Sequence, residues 1–324
     1  AEAGWRASTG SVGAARLADL DWLTAPGDLP ANARFEGMLA EGVNTISEVN
    51  FWPWGGDPVG RAAAAECLLQ DADGLLDDLA LSGVSGVPVS IRTGPESGML
   101  ADTVSVSRYA VDRIEINDDG GKTLHLRDAH DDLDRTINQG VFLPNIAALA
   151  WKPQPLVIGA VASVPAAGAN ADATALFIAD GAVHVDVVMD RGDVMESDTF
   201  TVSPDGQQLV MKSAPVTPVV ADVSSIGPGQ QPATLRQALA EIMGRLGKSA
   251  WSAADCDALD AATGYAGIGY YAGAAITGRD ALNAILPSYG AASYQAADGT
   301  LRVARLVAPE SNVGAPAFEL GRTH

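Results

Sequence analysis

The sequence predicts a mostly β chain, made of barrel or sandwich domains with a small α+β domain towards its C-terminal end. Three observations predict it. Thirty-five glycines and eighteen prolines are spread along 324 residues, a distribution that suits short strands joined by tight turns better than long helices. Asp-Gly dipeptides recur at 73–74, 119–120, 180–181, 205–206 and 298–299, and glycine supplies the positive φ that a two-residue reversal demands. Clear helix-start signals are concentrated after residue 230.

The strands come first. Arg113–Ile116 precedes the 117–121 turn and Lys122–Arg127 follows it in strict alternation. Thr174–Ile178 and Val183–Met189 flank Asp180-Gly181, and Ala291–Gln295 and Leu301–Leu306 flank Asp298-Gly299. Each pair predicts an antiparallel hairpin with one face inward. All-helical and Rossmann-type folds fit this pattern poorly.

The helices follow. Thr234-Leu235-Arg236-Gln237 is a capping box, and Leu235, Ala238, Leu239, Ile242, Met243 and Leu246 then recur at helical spacing. Ser252–Asp255 opens a second helix carrying Cys256 and Leu259, with Gly264 just past its end. Thr277–Asp280 opens a third, with Leu282, Ile285 and Leu286 on its apolar side. Ser224–Pro232 is the best linker candidate, and a weaker boundary falls near Arg135–Pro144. The expected division is 1–136 as a barrel-like N-terminal domain and 137–233 as a second β-rich domain. Residues 234–309 then form a helix-plus-hairpin domain and 310–324 an extended tail. No internal repeat is visible.

Composition excludes several functions. With 40 acidic against 20 basic residues the formal charge is -20, which repels phosphate backbones and anionic membranes, so no sequence-specific nucleic-acid binding is expected. Hydrophobic residues make up 47%, enough for a core in each domain. No stretch reaches the ~20 apolar residues of a membrane span; 146–164 is broken by Lys152 and prolines. The opening residues lack a signal-peptide pattern. Cys67 and Cys256 are far apart without metal-ligand spacing, so a soluble protein made in a reducing cytoplasm is expected.

No motif argues for an active site, a metal or a cofactor. Asp71-Ala72-Asp73-Gly74-Leu75-Leu76-Asp77-Asp78 places glycine fourth and Ser82 twelfth, against the EF-hand's glycine at six and glutamate at twelve. A turn with solvated acids is the better reading. His125, Asp128, His130, Asp131, Asp132 and Asp134 form the densest His/Asp cluster, with no second cluster to complete a metal site. His125 shares a strand face with Arg127, and Asp128–Arg135 looks like a charged helix start, where acids suit the dipole. Gly264–Gly269 follows a helix, the wrong context for a dinucleotide loop, and reads as a strand closely approached by another backbone. Arg191-Gly192-Asp193 reads as a turn. The aromatic runs Phe51-Trp52-Pro53-Trp54 and Tyr270-Tyr271 suit either an interface or a core.

Six segments carry a resemblance by their order. They are Asp28–Gly37, Cys67–Leu79, Gly86–Gly94, Leu124–Asp128 with Leu133–Arg135, Lys152–Gly159, and Ala281–Gly290 with Tyr294 and Asp298–Ala308. Together they resemble the hub or tip-attachment proteins of long-tailed bacteriophages and related gene transfer agents, over roughly 28–309. The Gly-rich segment of that family is reduced here to Trp52–Gly56.

The resemblance implies a non-enzymatic tail-tip or baseplate protein of the virion, assembled in the host cytoplasm. Its hub would be a homotrimer closing the tail tube, with a tube-facing barrel and outer domains. The implied partners are the distal tail protein of the tube, the tape measure protein, and tail fibres or other tip proteins. An acidic lumen would repel DNA and let it slide during ejection. Two other readings stand beside it: a tail-tip protein that binds or degrades polysaccharide, and a hexameric tail adaptor.

Overall fold

A computed structural model describes residues 2–6, 12–41, 43, 47–48, 58–62, 65–71, 74, 76–81, 83–95, 99–118, 120–142, 149–168, 172, 174–215, 218–264 and 267–305. The expected fold class holds: the chain is mostly β, with few helices. The 310–324 tail and the run Phe51–Trp54 lie outside the described residues.

The N-terminal part runs β1 (Glu2–Arg6), β2 (Val12–Ala18), β3 (Trp22–Leu23), β4 (Arg34–Gly37), β5 (Ser47–Glu48), β6 (Arg61–Ala62), β7 (Ala65–Leu69), α1 (Asp77–Leu81), β8 (Pro88–Thr93), β9 (Val104–Ile116) and β10 (Lys122–Asp128). Eight of these strands form one sheet in the order β3-β4-β2-β1-β8-β9-β10-β7. Its two ends meet. The Ala40 N–H donates to the Leu68 carbonyl at 2.9 Å, and the Gln70 N–H to the Met38 carbonyl at 2.8 Å. Leu39 bridges Leu69. Because 38–40 continue β4, this ladder closes the sheet into a barrel, the arrangement that satisfies the exposed edges of a twisted sheet. Leu17, Cys67, Leu69, Val89, Tyr109, Val111, Leu124 and Leu126 fill it. The predicted 113–127 hairpin is β9–β10, paired Lys122 to Ile116 and onwards.

The second part runs β11 (Leu156–Pro165), β12 (Ala167–Gly168), β13 (Ala175–Phe177), β14 (His184–Asp190), β15 (Asp193–Val194), β16 (Phe200–Val202), β17 (Gln208–Met211) and β18 (Val219–Ser224). After it come α2 (Leu235–Arg245), α3 (Ala253–Thr263), β19 (Gly269–Ala272), α4 (Gly278–Ile285), β20 (Ala291–Gln295) and β21 (Leu301–Arg305). A five-stranded sheet has the order β15-β14-β18-β11-β19, and a four-stranded one β12-β13-β17-β16. The two-period of β11 sorts its side chains between two cores. Val157 joins the core shared with Leu176, Ile178, Leu209 and Val223. Leu156 and Ile158 join the helices, packing with Leu235, Leu239, Ile242, Leu282 and Ile285.

One predicted hairpin does not form. β13 and β14 flank Asp180-Gly181 as expected, but they enter different sheets. The dipeptide is a crossing pinned from outside. The Asp180 carboxylate accepts the Gly140 N–H at 3.1 Å and pairs with Arg245 at 3.1 Å. The Arg245 guanidinium also donates to the Asp180 carbonyl. A hairpin signal reports a reversal, not which neighbour the second strand will find.

The helices form where the caps place them. Thr234 accepts the Gln237 N–H, and the Gln237 side chain accepts the Thr234 N–H at 2.9 Å. Ser252 and Thr277 cap α3 and α4, and Gly264 ends α3 at φ 58°. Asp128–Arg135 does not become a full helix. Only one 3-10 turn forms, over Asp131–Asp134, because the chain then runs extended, bridging Thr136 to Thr277. The stretch expected as a linker, Ser224–Pro232, is a fixed loop: the Asp186 carboxylate accepts the Gly229 and Gln230 N–H groups at 2.8 and 3.0 Å.

Candidate functional site

Strand β10 carries the first charged assemblies. Its inward parity is Lys122, Leu124, Leu126 and Asp128, all buried. Lys122 therefore points into the barrel end, with its side chain 2% exposed. It pairs with Asp71, whose carboxylate is fully buried, and with Asp77 at 2.8 Å. Asp71 also accepts the Leu76 N–H at 3.0 Å. Asp71, expected as a solvated turn acid, is thus an anchor that ties the segment leading into α1 over the barrel end. Beneath this segment lies a small apolar gap lined by Leu17, Leu69, Leu76, Val84, Ile114 and Leu124 among others. The hydrogen bonds from Asp71 and Asp77 hold the Lys122 pKa above its ordinary value.

On the outer face of β10, His125 and Arg127 lie side by side as predicted, both half-buried. His125 bridges two neighbouring strands, Nδ1 to Glu66 and Nε2 to Glu115, each at 3.0 Å. The rest of the His/Asp cluster is drawn apart. Asp131 pairs with Arg127 and Asp132 with Lys248. Asp134 meets the Arg279 Nε at 2.6 Å. His130 is buried against the C-terminal part. Among the described residues no three His, Cys, Asp or Glu side chains are placed to hold a metal.

The other singled-out motifs take structural places. Gly269 pairs with Gly159 in β11–β19, and a methyl group added there would lie 1.9 Å from the Ala160 carbonyl oxygen. This is the close backbone approach that the Gly-rich segment predicted. Arg191 and Gly192, at φ 54° and 84°, turn β14 into β15. Tyr270 packs on the helical core and Tyr271 on the inter-sheet core, which decides for core there. Burial pushes the thiols of Cys67 and Cys256 up to about 11 and about 12, so both stay protonated at neutral pH.

Several large apolar side chains are left exposed. Leu29 is 94% exposed at the tip of a loop braced from within. Thr24 Oγ1 donates to the Pro30 carbonyl and accepts the Ala33 N–H, both at 2.7 Å. Trp151 is 69% exposed and held at φ 63° by a narrow ribbon, its N–H donating to the Phe142 carbonyl at 3.0 Å. Composition alone could not single out either residue, because exposure is set by what the fold leaves uncovered. Among the described residues no helix is long and apolar enough to cross a membrane.

No family model matches the chain, and no curated protein matches it. Among solved structures it is similar to a chain of the virion of a native gene transfer agent (GTA) particle, at 16% identity. The match covers 71% of this chain and 80% of that one, with a TM-score of 0.29. A likeness of that size decides neither fold nor function.

Proposed function

We propose that the chain is a structural component of a phage-type tail tip, a hub that closes the tail tube and docks other tip proteins or fibres. Its work is assembly, not catalysis, and the functional unit is a homotrimer. The observation that carries this reading is the closed N-terminal barrel, with the resembling segments at its joints. Cys67–Leu79 spans β7 and the segment tied over the barrel end. Gly86–Gly94 spans the turn and β8, and Leu124–Asp128 with Leu133–Arg135 spans β10 and its exit turn. A barrel whose long strands are paired on both sides is suited to a ring position, since neighbours then meet it through side chains and loops. Leu29 and Trp151, among other exposed apolar side chains, give such contacts apolar points on a chain whose net negative charge would otherwise hold copies apart.

The test is a symmetry-resolved map of the intact particle's tail end with this chain located in it. Three copies on the axis below the last tube ring are expected. Six copies would make it an adaptor, a peripheral position a fibre-attachment protein, and absence from the particle would overturn the reading.

A further inference from the structure

We propose that His130 is an acid-operated latch between the barrel and the C-terminal helix-and-hairpin part. Neutral, the ring holds the two together; protonated, it loosens the 129–138 segment from its seat. The inference stands on the junction itself and does not depend on the hub reading.

His130 sits where four elements converge. It follows the end of β10, and its N–H donates to the Asp128 carboxylate at 2.8 Å. The ring hydrogen-bonds the backbone at Gly299 in the β20–β21 turn. Lys248, after α2, and Arg279, in the first turn of α4, face it with positive charge. The residue is 6% exposed, and Nε2 has no hydrogen-bond partner among the described residues. A neutral ring tolerates that as an idle acceptor. An imidazolium would carry a buried donor there with nothing to receive it.

The charges around the ring are mostly committed. On its own segment Asp131 pairs with Arg127, Asp132 with Lys248 and Arg135, and Asp134 with Arg279. In the turn, the Asp298 carboxylate accepts the Thr300 N–H, and Arg108 of β9 lies against Gly299. Burial, the largest effect, together with Lys248 and Arg279, outweighs Asp128 and the hydrogen bond to the Gly299 backbone, which both favour the charged ring, and holds the pKa below 6.5.

What the ring guards is a seam. The Ile137 N–H donates to the Ile276 carbonyl at 2.9 Å and the Gly278 N–H to the Arg135 carbonyl at 3.2 Å. Ser105 donates to the Ala297 carbonyl and Gln295 to the Arg108 carbonyl, at 2.7 and 2.6 Å. Burial keeps the folded ring neutral while the opened ring titrates near 6.5. The closed seam is therefore at full strength above pH 6.5 and weakens as pH falls below it, towards the lower pKa of the closed state. Asp131, whose pKa burial raises above 3.8, acts in the opposite direction and at lower pH.

Hydrogen exchange of the full chain at pH 7.5 and 5.5, corrected for intrinsic rates, tests the latch. Protection in 129–138 and 276–300 should fall at pH 5.5, by up to about tenfold per pH unit crossed below 6.5, while β8 and β9 keep theirs. His130→Gln should show no such difference. Equal protection at both pH values in the wild type, or an equal loss in the variant, would overturn the proposal. Should the variant not fold, an NMR titration of the wild-type ring decides: a midpoint below 6.5 supports the latch, and one at or above 6.5 sinks it.

Discussion

At the scale of the residue, Lys122 is the side chain whose replacement separates a structural ion from an ornamental one. Its charge and that of Asp71 are both buried, so removing one partner leaves the other uncompensated in a low-dielectric setting. Lys122→Met should lower unfolding stability by about 3–5 kcal/mol in denaturant titration, and adding Asp71→Leu should recover part of it. The raised pKa gives a second signature. A lysine whose folded value exceeds 10.5 contributes fully below that pH and loses its contribution as pH climbs through the folded value. Wild type should therefore lose stability above about pH 10.5, and Lys122→Met should lose less. Asn138 is a second such residue, 1% exposed, donating to the Gln154 and Ala274 carbonyls and accepting the Ile276 N–H. Asn138→Ala strands three backbone groups and should cost about 3 kcal/mol, read as a lowered midpoint with an unchanged slope.

At the scale of the element, the Asp-Gly turns look alike in the sequence and differ in the fold. All five glycines adopt positive φ, from 68° at Gly74 to 128° at Gly181. A methyl group added at Gly120 meets nothing within 4 Å, whereas at Gly206 it would lie 1.6 Å from the Val183 carbonyl oxygen. Gly120→Ala should cost about 1 kcal/mol of backbone strain. Gly206→Ala should cost several times that or abolish folding, as thermal melts of the pair would show. The helix starts were legible because a cap is local chemistry within four residues. Thr234→Ala should cost about 1 kcal/mol, and Thr234→Ser much less. Partner choice between β13 and β14 was not legible, because it rests on Arg245, which lies 65 positions from Asp180.

At the scale of the whole molecule, three cores make two units of unfolding, because β11 joins the inter-sheet core to the helical one. The barrel core draws on residues from Leu17 to Leu126. The helical core draws Leu156 and Ile158 from the five-stranded sheet together with α2, α4 and the final hairpin, and β19 pairs directly with β11. Sheet and helices should then unfold together. Leu282→Ala, at a fully buried site, should cost about 2–5 kcal/mol. It should lower hydrogen-exchange protection in β11 as much as in α2, while Leu124 and Leu126 in the barrel keep theirs. Protection lost only within α4 would contradict a shared core.

What the sequence determined by itself was local. The turn glycines, the three capped helices, the β9–β10 and β20–β21 hairpins and the parity of β10 follow from residues within a few positions of one another. That parity already placed Lys122 on the same face as Leu124 and Leu126, whereas Asp128, expected to open a helix, was added to that face by the structure. Only the tertiary structure decided that Asp71 meets Lys122, that residues 38–40 close a barrel on β7, and that His130 lies between two parts of the chain. These contacts join residues tens to more than a hundred positions apart. Their partners are chosen by the burial and charge of the whole fold, which no local pattern carries.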